Sequence, residues 1–363
     1  MEIKHDIISG MKGSKRNPTY ELLRIMAMFL IVVNHYAMFV PVDFSSHEYN
    51  IFFKYFLQTG GKFGVNLFIL ITGYFMCTAS FRAAKLLSLL AKCFTYSVGC
   101  YLILSVIANT FSVAGFVSSC FPVITNEYWF ITAYVGVYLL CPYINQLFHT
   151  MDSLQRTKLT VILTVMLSII PTFTLQATWT SNFVWLAYLY WVGAYVRMDL
   201  AEKIKKSRLL LPISVVLFIG IALSCVIITL ASHSIPILSY NIGHFRNMTS
   251  FPLLLSSVLF FVWFGTISID NDSKYIPVIL MLAKGAFAVC LIHENPYVKT
   301  LLWGKWISEL SPSGILYLPF AILFSTLIYI LCAMIDMVVS NLLDRINFER
   351  LSKWISIKLN GLG

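Results

Sequence analysis

The chain has 363 residues, of which 58% are hydrophobic and 12% are charged, and its formal net charge is +10. Soluble globular domains contain about 45–50% apolar and about 25% charged residues. This composition therefore excludes a cytosolic enzyme, a disordered chain and a secreted disulfide scaffold. It predicts an all-α, polytopic membrane helix bundle, in which the excess positive charge belongs to cytoplasmic loops rather than to a nucleic-acid surface.

Ten apolar runs follow one another along the chain, each suited to a membrane-spanning helix. The first is too long for the apolar part of a signal peptide and lacks a small-residue cleavage site, so it predicts an uncleaved span. The second holds Lys54, Lys62 and three glycines, a pattern that indicates an interfacial helix followed by a span. The runs lie near residues 20–40, 54–79, 93–115, 127–148, 159–176, 180–197, 209–231, 250–269, 276–297 and 315–341.

The distribution of lysine and arginine predicts the orientation of these spans. With a cytoplasmic N-terminus, nineteen of these residues fall on inner segments and five on outer ones, while Arg24 and Lys284 lie near or within spans. Both termini are therefore expected in the cytoplasm. They form an N-terminal segment, 1–19, and a tail, 342–363, on a single integral domain of the cell membrane.

The eight cysteines lie mostly inside apolar runs and form no CxxC pair. No cysteine or histidine cluster has the spacing of a zinc site. We therefore expect the cysteines to be packing residues and expect no metal site.

Arg24 and His35 are unusual residues for the first apolar run. A charge at the bilayer centre costs about 2.5–3.5 kcal/mol on insertion scales, so such a residue is expected to face the bundle interior or an aqueous cavity. Eleven helical residues turn through about three full turns, so the two side chains share one face about 16 Å apart. Glu21 lies one turn before Arg24 and can pair with it. A snorkelling arginine and a hydrogen-bonded packing histidine are the alternative interpretation.

Later runs contain further polar residues. Asn66 lies in the second run, Glu127 opens the fourth, and His293 and Glu294 lie in the ninth. Because adjacent helical residues point to different faces, only one of the last two is expected to point inward. Lys284 is expected at the interface.

Arg82 and Lys85 open a basic segment that follows the second run. One interpretation is a pair of topology anchors. The other is a phosphate-binding site at the cytoplasmic mouth of the bundle.

Taken in order, these residues resemble the bacterial acyltransferase-3 family, the membrane-bound O-acyltransferases of surface polysaccharides. That family opens with an R-x10-H element, which Arg24 and His35 match, often with an acidic residue at the position of Glu21. A basic R-x-x-R element of the family reads Arg82-x-x-Lys85 here, and lysine lacks the bidentate fork of arginine. Three further motifs correspond to Gly64 through Phe68 with Thr72, Gly73 and Tyr74; to Trp129, Phe130, Tyr138, Leu139 and Pro142, with one residue of difference in spacing; and to Cys290 through Pro296.

The resemblance implies transfer of an acyl group, most often acetyl, from cytoplasmic acyl-CoA to a hydroxyl of a surface or lipid-linked sugar. Arg24, Arg82 and Lys85 would bind the CoA phosphates. His35 would act as general base or as a transient acyl carrier, supported by Arg24 and Glu21. Acyl-CoA is then a substrate, and we expect no permanently bound cofactor and no nucleic-acid partner. Residues expected to bind substrate or support the site are Asn66, Glu127, Trp129, His293 and Glu294.

Two other classes of function remain open from the sequence. Intramembrane Arg, His and Glu residues also mark the substrate and proton paths of transporters, so a transporter or flippase for a lipid-linked sugar or small anion is the main alternative. No internal repeat or pair of broken helices favours it. A membrane sensor or scaffold without catalysis is the third possibility.

Overall fold

The computed structural model describes residues 16–41, 49–176, 179–270, 272–310, 314–343, 345–346, 350–351 and 353–354, and this part of the chain contains no β-strand. Residues 1–15 and 355–363, which hold most of the predicted terminal segments, lie outside the described residues. The α-helices are α1 Pro18–Phe39, α2 Tyr49–Met76, α3 Ala83–Ile107, α4 Val113–Cys120, α5 Trp129–Thr150, α6 Ser153–Thr164, α7 Ile170–Thr174, α8 Asn182–Tyr195, α9 Ala201–Ile204, α10 Leu210–Ser232, α11 Phe251–Phe264, α12 Ile276–His293, α13 Pro296–Leu301, α14 Ser308–Leu310 and α15 Tyr317–Leu343. Short π-helical segments cover Val165–Ile169, Val196–Leu200 and Leu302–Ile307, and 3-10 turns cover Pro236–Asn241 and Gly314–Leu316.

Seven helical segments of the described chain are long and apolar enough to cross a membrane. They are α1, α3, α5, the segment Ser153–Thr174, α10, α12 and Gly314–Leu343. The all-α membrane class is therefore confirmed. The remaining three predicted spans correspond to α2, α8 and the shorter apolar α11, so the count of ten and the orientation stay predictions.

Helix α1 lies at the centre of the bundle, where it packs against α2, α12 and α15. It begins at Pro18, whose fixed φ suits the first helical position, and the side chain of Asn17 accepts a hydrogen bond from Thr19 N. It ends where Val40 adopts an extended conformation. Central packing explains how a helix that carries Glu21, Arg24 and His35 avoids lipid.

Small residues let α2 approach α1 closely. A Cβ atom on Gly64 would collide with the carbonyl oxygen of Ala27, and one on Gly61 would collide with Asn34. Such close approach is typical of helix pairs in membranes. The sequence-based expectation of an interfacial helix followed by a span is wrong, because these glycines serve packing and α2 continues unbroken from Tyr49 to Met76.

Two buried ion pairs tie outer helices to the bundle. Lys92 Nζ of α3 lies 2.9 Å from Asp336 Oδ1 of α15, which also accepts a hydrogen bond from Tyr96. Arg156 of α6 makes a bidentate pair with Asp199, in the π-helical segment after α8. Bidentate and multiply bonded pairs of this kind fix geometry as well as charge.

Helices α1 and α12 run parallel. Lys284 of α12 lines the same cavity as Arg24 near the start of α1, and His293 at the end of α12 meets His35 near the end of α1. The two helices therefore define two separate polar sites, one at each end of the pair.

Candidate active site

Three side chains meet at the C-terminal end of α1, and we call them the histidine cluster: His35, His293 and Glu294. Nδ1 of His35 lies 3.0 Å from Nε2 of His293, and Nε2 of His35 lies 3.1 Å from Oε1 of Glu294. Both histidines are buried. A pair of imidazoles beside a carboxylate is an arrangement suited to moving a proton.

His293 and Glu294 both point inward, although adjacent residues of a continuing helix would not. Helix α12 ends at His293, and Glu294 is its C-cap residue, with φ −94° and ψ −3°. The side chain of Asn295 then caps α13, and its amide group donates to the hydroxyl of Tyr128. Trp303 Nε1 donates to the carbonyl of His293. The expectation that only one of the two residues faces inward is therefore wrong, because His293 reaches Nδ1 of His35 while Glu294 reaches Nε2 on the other side of the same ring.

Hydrogen bonding assigns the proton positions in the cluster. Nδ1 of His293 contacts the carbonyl oxygen of Val289, which can only accept, so this nitrogen carries a proton. In the neutral ring Nε2 of His293 then accepts a hydrogen bond, and Nδ1 of His35 is its donor. Nε2 of His35 is left with its lone pair available. The buried Oε1 of Glu294 makes no aligned hydrogen bond with the described residues, so it lies beside this lone pair rather than along it.

The cluster also has the donor set of a metal site. One ligand atom from each of its three residues lies within 4.8 Å of the others. However, Lys299 Nζ lies 3.5 Å from Oε1 of Glu294. This lysine already supplies a positive charge where a cation would bind. The geometry therefore fits a proton-transfer group better than a resident metal ion.

A second site, which we call the arginine cavity, opens at the N-terminal end of α1. It has a volume of about 630 Å³ and adjoins a smaller cavity of about 250 Å³ that also contains Arg24. Arg24 makes hydrogen bonds of 3.1 and 3.0 Å to the two carboxylate oxygens of the buried Glu21. The ion pair with Glu21 fixes the orientation of the Arg24 guanidinium. The cavity keeps a net positive charge, because further cations line it.

Arg16, Lys85 and Lys284 supply these further cations. Arg16 and Lys85 line the larger cavity, and Arg16 and Lys284 line the smaller one. Lys85 therefore lies where the sequence analysis places a phosphate ligand. Arg82 is the N-cap residue of α3, and its side chain does not line either cavity. Sequence reasoning missed Arg16 and Lys284, although a lysine within the ninth apolar run was a signal of the same kind as Arg24.

The other predicted site residues lie apart from the cluster. Asn66 is fully bonded, to Trp185 Nε1, the Met248 carbonyl and the Ser257 hydroxyl, so it joins helices. Glu127 accepts hydrogen bonds from Ser97 and Ser118 and does not contact His35. These hydrogen bonds support a structural role for Asn66 and for Glu127.

Trp129 is connected to the histidine cluster through Lys62. It begins α5, and its ring centroid lies 5.8 Å from Nζ of Lys62, a residue that interacts electrostatically with His35 and Glu294. A substrate-binding or supporting role for Trp129 stays a prediction.

Aromatic side chains line the smaller cavity. Phe68 and Phe287 line the smaller cavity, and the ring of Phe68 packs on Phe130 while that of Phe287 packs on Tyr134. His35 lies eleven residues beyond Arg24 along α1, which corresponds to about 16 Å. A ligand that binds in the arginine cavity would need to extend over about this distance to reach His35.

Comparison with known proteins adds one finding. A family model described as an acyltransferase domain matches residues 17–335. This range runs from the N-cap of α1 into α15, so it contains both the histidine cluster and the arginine cavity. No curated protein and no solved structure matches the chain.

Proposed function

The chain belongs to the acyltransferase-3 family, and from that premise we propose that this membrane acyltransferase moves an acyl group, acetyl in the simplest case, from cytoplasmic acyl-CoA to a hydroxyl of a surface or lipid-linked sugar. The observation that carries the proposal is the placement of two different sites on one helix. A cavity lined by cations lies at the N-terminal end of α1, and the histidine cluster lies near its C-terminal end.

The arginine cavity binds the donor in this proposal. Acyl-CoA carries phosphates that require cations, and Arg16, Arg24, Lys85 and Lys284 line the two adjoining cavities. Its pantetheine arm is long and thin enough to extend between α1, α5 and α12 towards His35. The polyanionic part of the donor then stays at the mouth, and only the thioester enters the bundle.

His35 acts on the acceptor. Its Nε2 lone pair takes the proton of the sugar hydroxyl while the hydroxyl oxygen attacks the thioester carbonyl. The tetrahedral intermediate collapses with cleavage of the carbon–sulfur bond, and the imidazolium returns its proton to the departing CoA thiolate. Glu294 Oε1, at 3.1 Å from Nε2, stabilises the imidazolium between these two transfers. His293 holds Nδ1 of His35 as a donor, which keeps the reactive nitrogen at Nε2.

The experiment that tests this function uses the purified protein in lipid vesicles with radiolabelled acetyl-CoA and the glycan fraction of the source cells. Transfer of label to glycan supports the proposal. Uptake of label into the vesicle lumen without transfer would instead identify a transporter. Deletion of the gene should remove O-acyl groups from one glycan, which identifies the acceptor.

A further inference from the structure

A group of cations adjoins the histidine cluster, and we call it the basic site. Lys299 of α13 and Lys62 of α2 interact with the cluster, and Arg246, in the loop before α11, interacts with Lys62. Lys299 Nζ lies 3.5 Å from Glu294 Oε1 and 4.9 Å from the ring centroid of Phe39. Lys62 interacts electrostatically with both Glu294 and Arg246. The basic site is therefore continuous with the residues that would act on the acceptor.

Positive charge in the basic site exceeds the negative charge that contacts it. Glu294 is the carboxylate that pairs with Lys299, whereas Lys62 and Arg246 make no hydrogen bond or ion pair with any residue in the described part of the chain. Their close contacts are with aromatic rings, Trp129 for Lys62 and Tyr55 for Arg246, at 5.8 and 5.7 Å from the centroids. Lys62 and Arg246 therefore lack a carboxylate partner in the described part of the chain, and Glu294 already pairs with Lys299.

Leaving these charges unpaired is unfavourable. Lys62 and Arg246 are half-buried, so both have lost part of their hydration, and the two charges repel each other. Burial lowers the pKa of the Arg246 guanidinium from its ordinary value. Charges in such surroundings are normally paired, which points to an anionic ligand that completes the site.

The donor does not provide that anion, because the cations proposed for the CoA phosphates lie at the other end of α1. The acceptor is the remaining substrate. Lys299 Nζ and His35 Nε2 both approach the same Oε1 atom of Glu294, so their separation cannot exceed the sum of those two distances, about 6.6 Å. A hydroxyl at His35 and an anion at Lys299 would therefore lie on the same sugar residue or on its immediate neighbour.

Building on the proposed function, we propose that the basic site binds an oxyanion of the acceptor, a carboxylate or a phosphate, next to the hydroxyl that receives the acyl group. The acceptor is thus an acidic sugar unit rather than a neutral one. In this proposal Lys62, beside the histidine cluster, and Arg246, beside Lys62, receive their counter-charge from the substrate.

Direct binding tests the site independently of catalysis. The probes are glucuronate and inorganic phosphate, added to the purified protein in nanodiscs of zwitterionic phosphatidylcholine. Wild-type protein should bind at least one probe, and Lys62→Gln should weaken that binding about tenfold while Lys62→Arg retains it. The matched control is Lys305→Gln, an exposed lysine of the adjoining segment. The probe that binds distinguishes a carboxylate acceptor from a phosphate acceptor.

Failure of the basic site can be told from failure of the proposed function. Probe binding that depends on Lys62 supports the basic site even if no acyl transfer is found. Absence of binding by both probes, or equal binding by wild type and Lys62→Gln, would overturn the proposal. Displacement of the probes by phosphatidylglycerol added to the nanodiscs would identify a lipid headgroup as the occupant and would also overturn it. When transfer is active, Lys62→Gln should raise the acceptor KM and leave acetyl-CoA affinity within about twofold.

Discussion

Replacement of His293 by phenylalanine tests whether this histidine sets the reactive nitrogen of His35. The ring fills a similar volume but offers no acceptor, so the buried Nδ1–H of His35 loses its partner at 3.0 Å. An unsatisfied buried donor costs about 1–3 kcal/mol. A cost of about 1.36 kcal/mol corresponds to a tenfold fall in rate. If the cost falls on the tautomer of His35 with an unprotonated Nε2, kcat should fall about 5- to 150-fold.

The assay is steady-state transfer of labelled acetyl groups, with acetyl-CoA binding and thermal unfolding as checks on the fold. His293→Gln is the matched variant, because its amide oxygen can accept from Nδ1 of His35, and it should retain about ten times the kcat of His293→Phe. Nitrogen-15 NMR of labelled histidine gives a second readout: the wild-type His35 ring should be protonated at Nδ1 and unprotonated at Nε2. Equal kcat in wild type and His293→Phe, or the opposite tautomer, would show that His293 does not set the reactive nitrogen of His35.

Three other predictions address the ends of the bundle and its packing. Cysteine labelling from outside the cell should modify a probe in 232–249 and spare one in 197–208, and the reverse pattern would invert the predicted orientation. Lys85→Gln should raise the acetyl-CoA KM about tenfold by removing one phosphate contact, without changing the acceptor KM; an unchanged donor KM would remove Lys85 from the donor site. Gly64→Ala should destabilise the detergent-solubilised protein by about 1–3 kcal/mol, because its Cβ meets backbone of α1, whereas Gly220→Ala, which faces open space, should unfold like wild type.

Helical periodicity was sufficient to predict the relation between Arg24 and His35. Both residues belong to one unbroken helix, so spacing alone places them on one face, and pairing between Glu21 and Arg24 follows the same rule. The family resemblance is confirmed as well. These inferences depend on local geometry or on motif order, which a single sequence contains.

The composition of the histidine cluster could not be predicted in the same way. His293 and Glu294 both reach His35 because they meet different nitrogens of its ring. Spacing within an apolar run does not show which partner on another helix a side chain meets. Glu127 looked equivalent to Glu294 in the sequence, yet two serines satisfy its carboxylate away from His35. Tertiary packing, rather than periodicity, distinguishes these two acids.

Charged residues near the arginine cavity show a similar limit. Lys284, like Arg24, is a charged residue within an apolar run. The smaller cavity that both line forms only when α12 packs parallel to α1. Arg82 and Lys85 are one helical turn apart, and only Lys85 lines the cavity. Sequence identifies candidate cations, whereas the packing of helices selects those that share one space.

Acetyl transfer by His35→Asn is the direct test of His35 as the general base. Asparagine can form hydrogen bonds but cannot take a proton at neutral pH, so the variant should lose about 10²–10⁴-fold in kcat while it still inserts into the membrane and binds acetyl-CoA. Wild-type transfer should also fall on acidification, as the imidazole that must accept a proton becomes protonated. Transfer by His35→Asn within about threefold of wild type, far short of the loss of about 10²–10⁴-fold expected when a general base is removed, would contradict this mechanism and remove His35 from proton transfer.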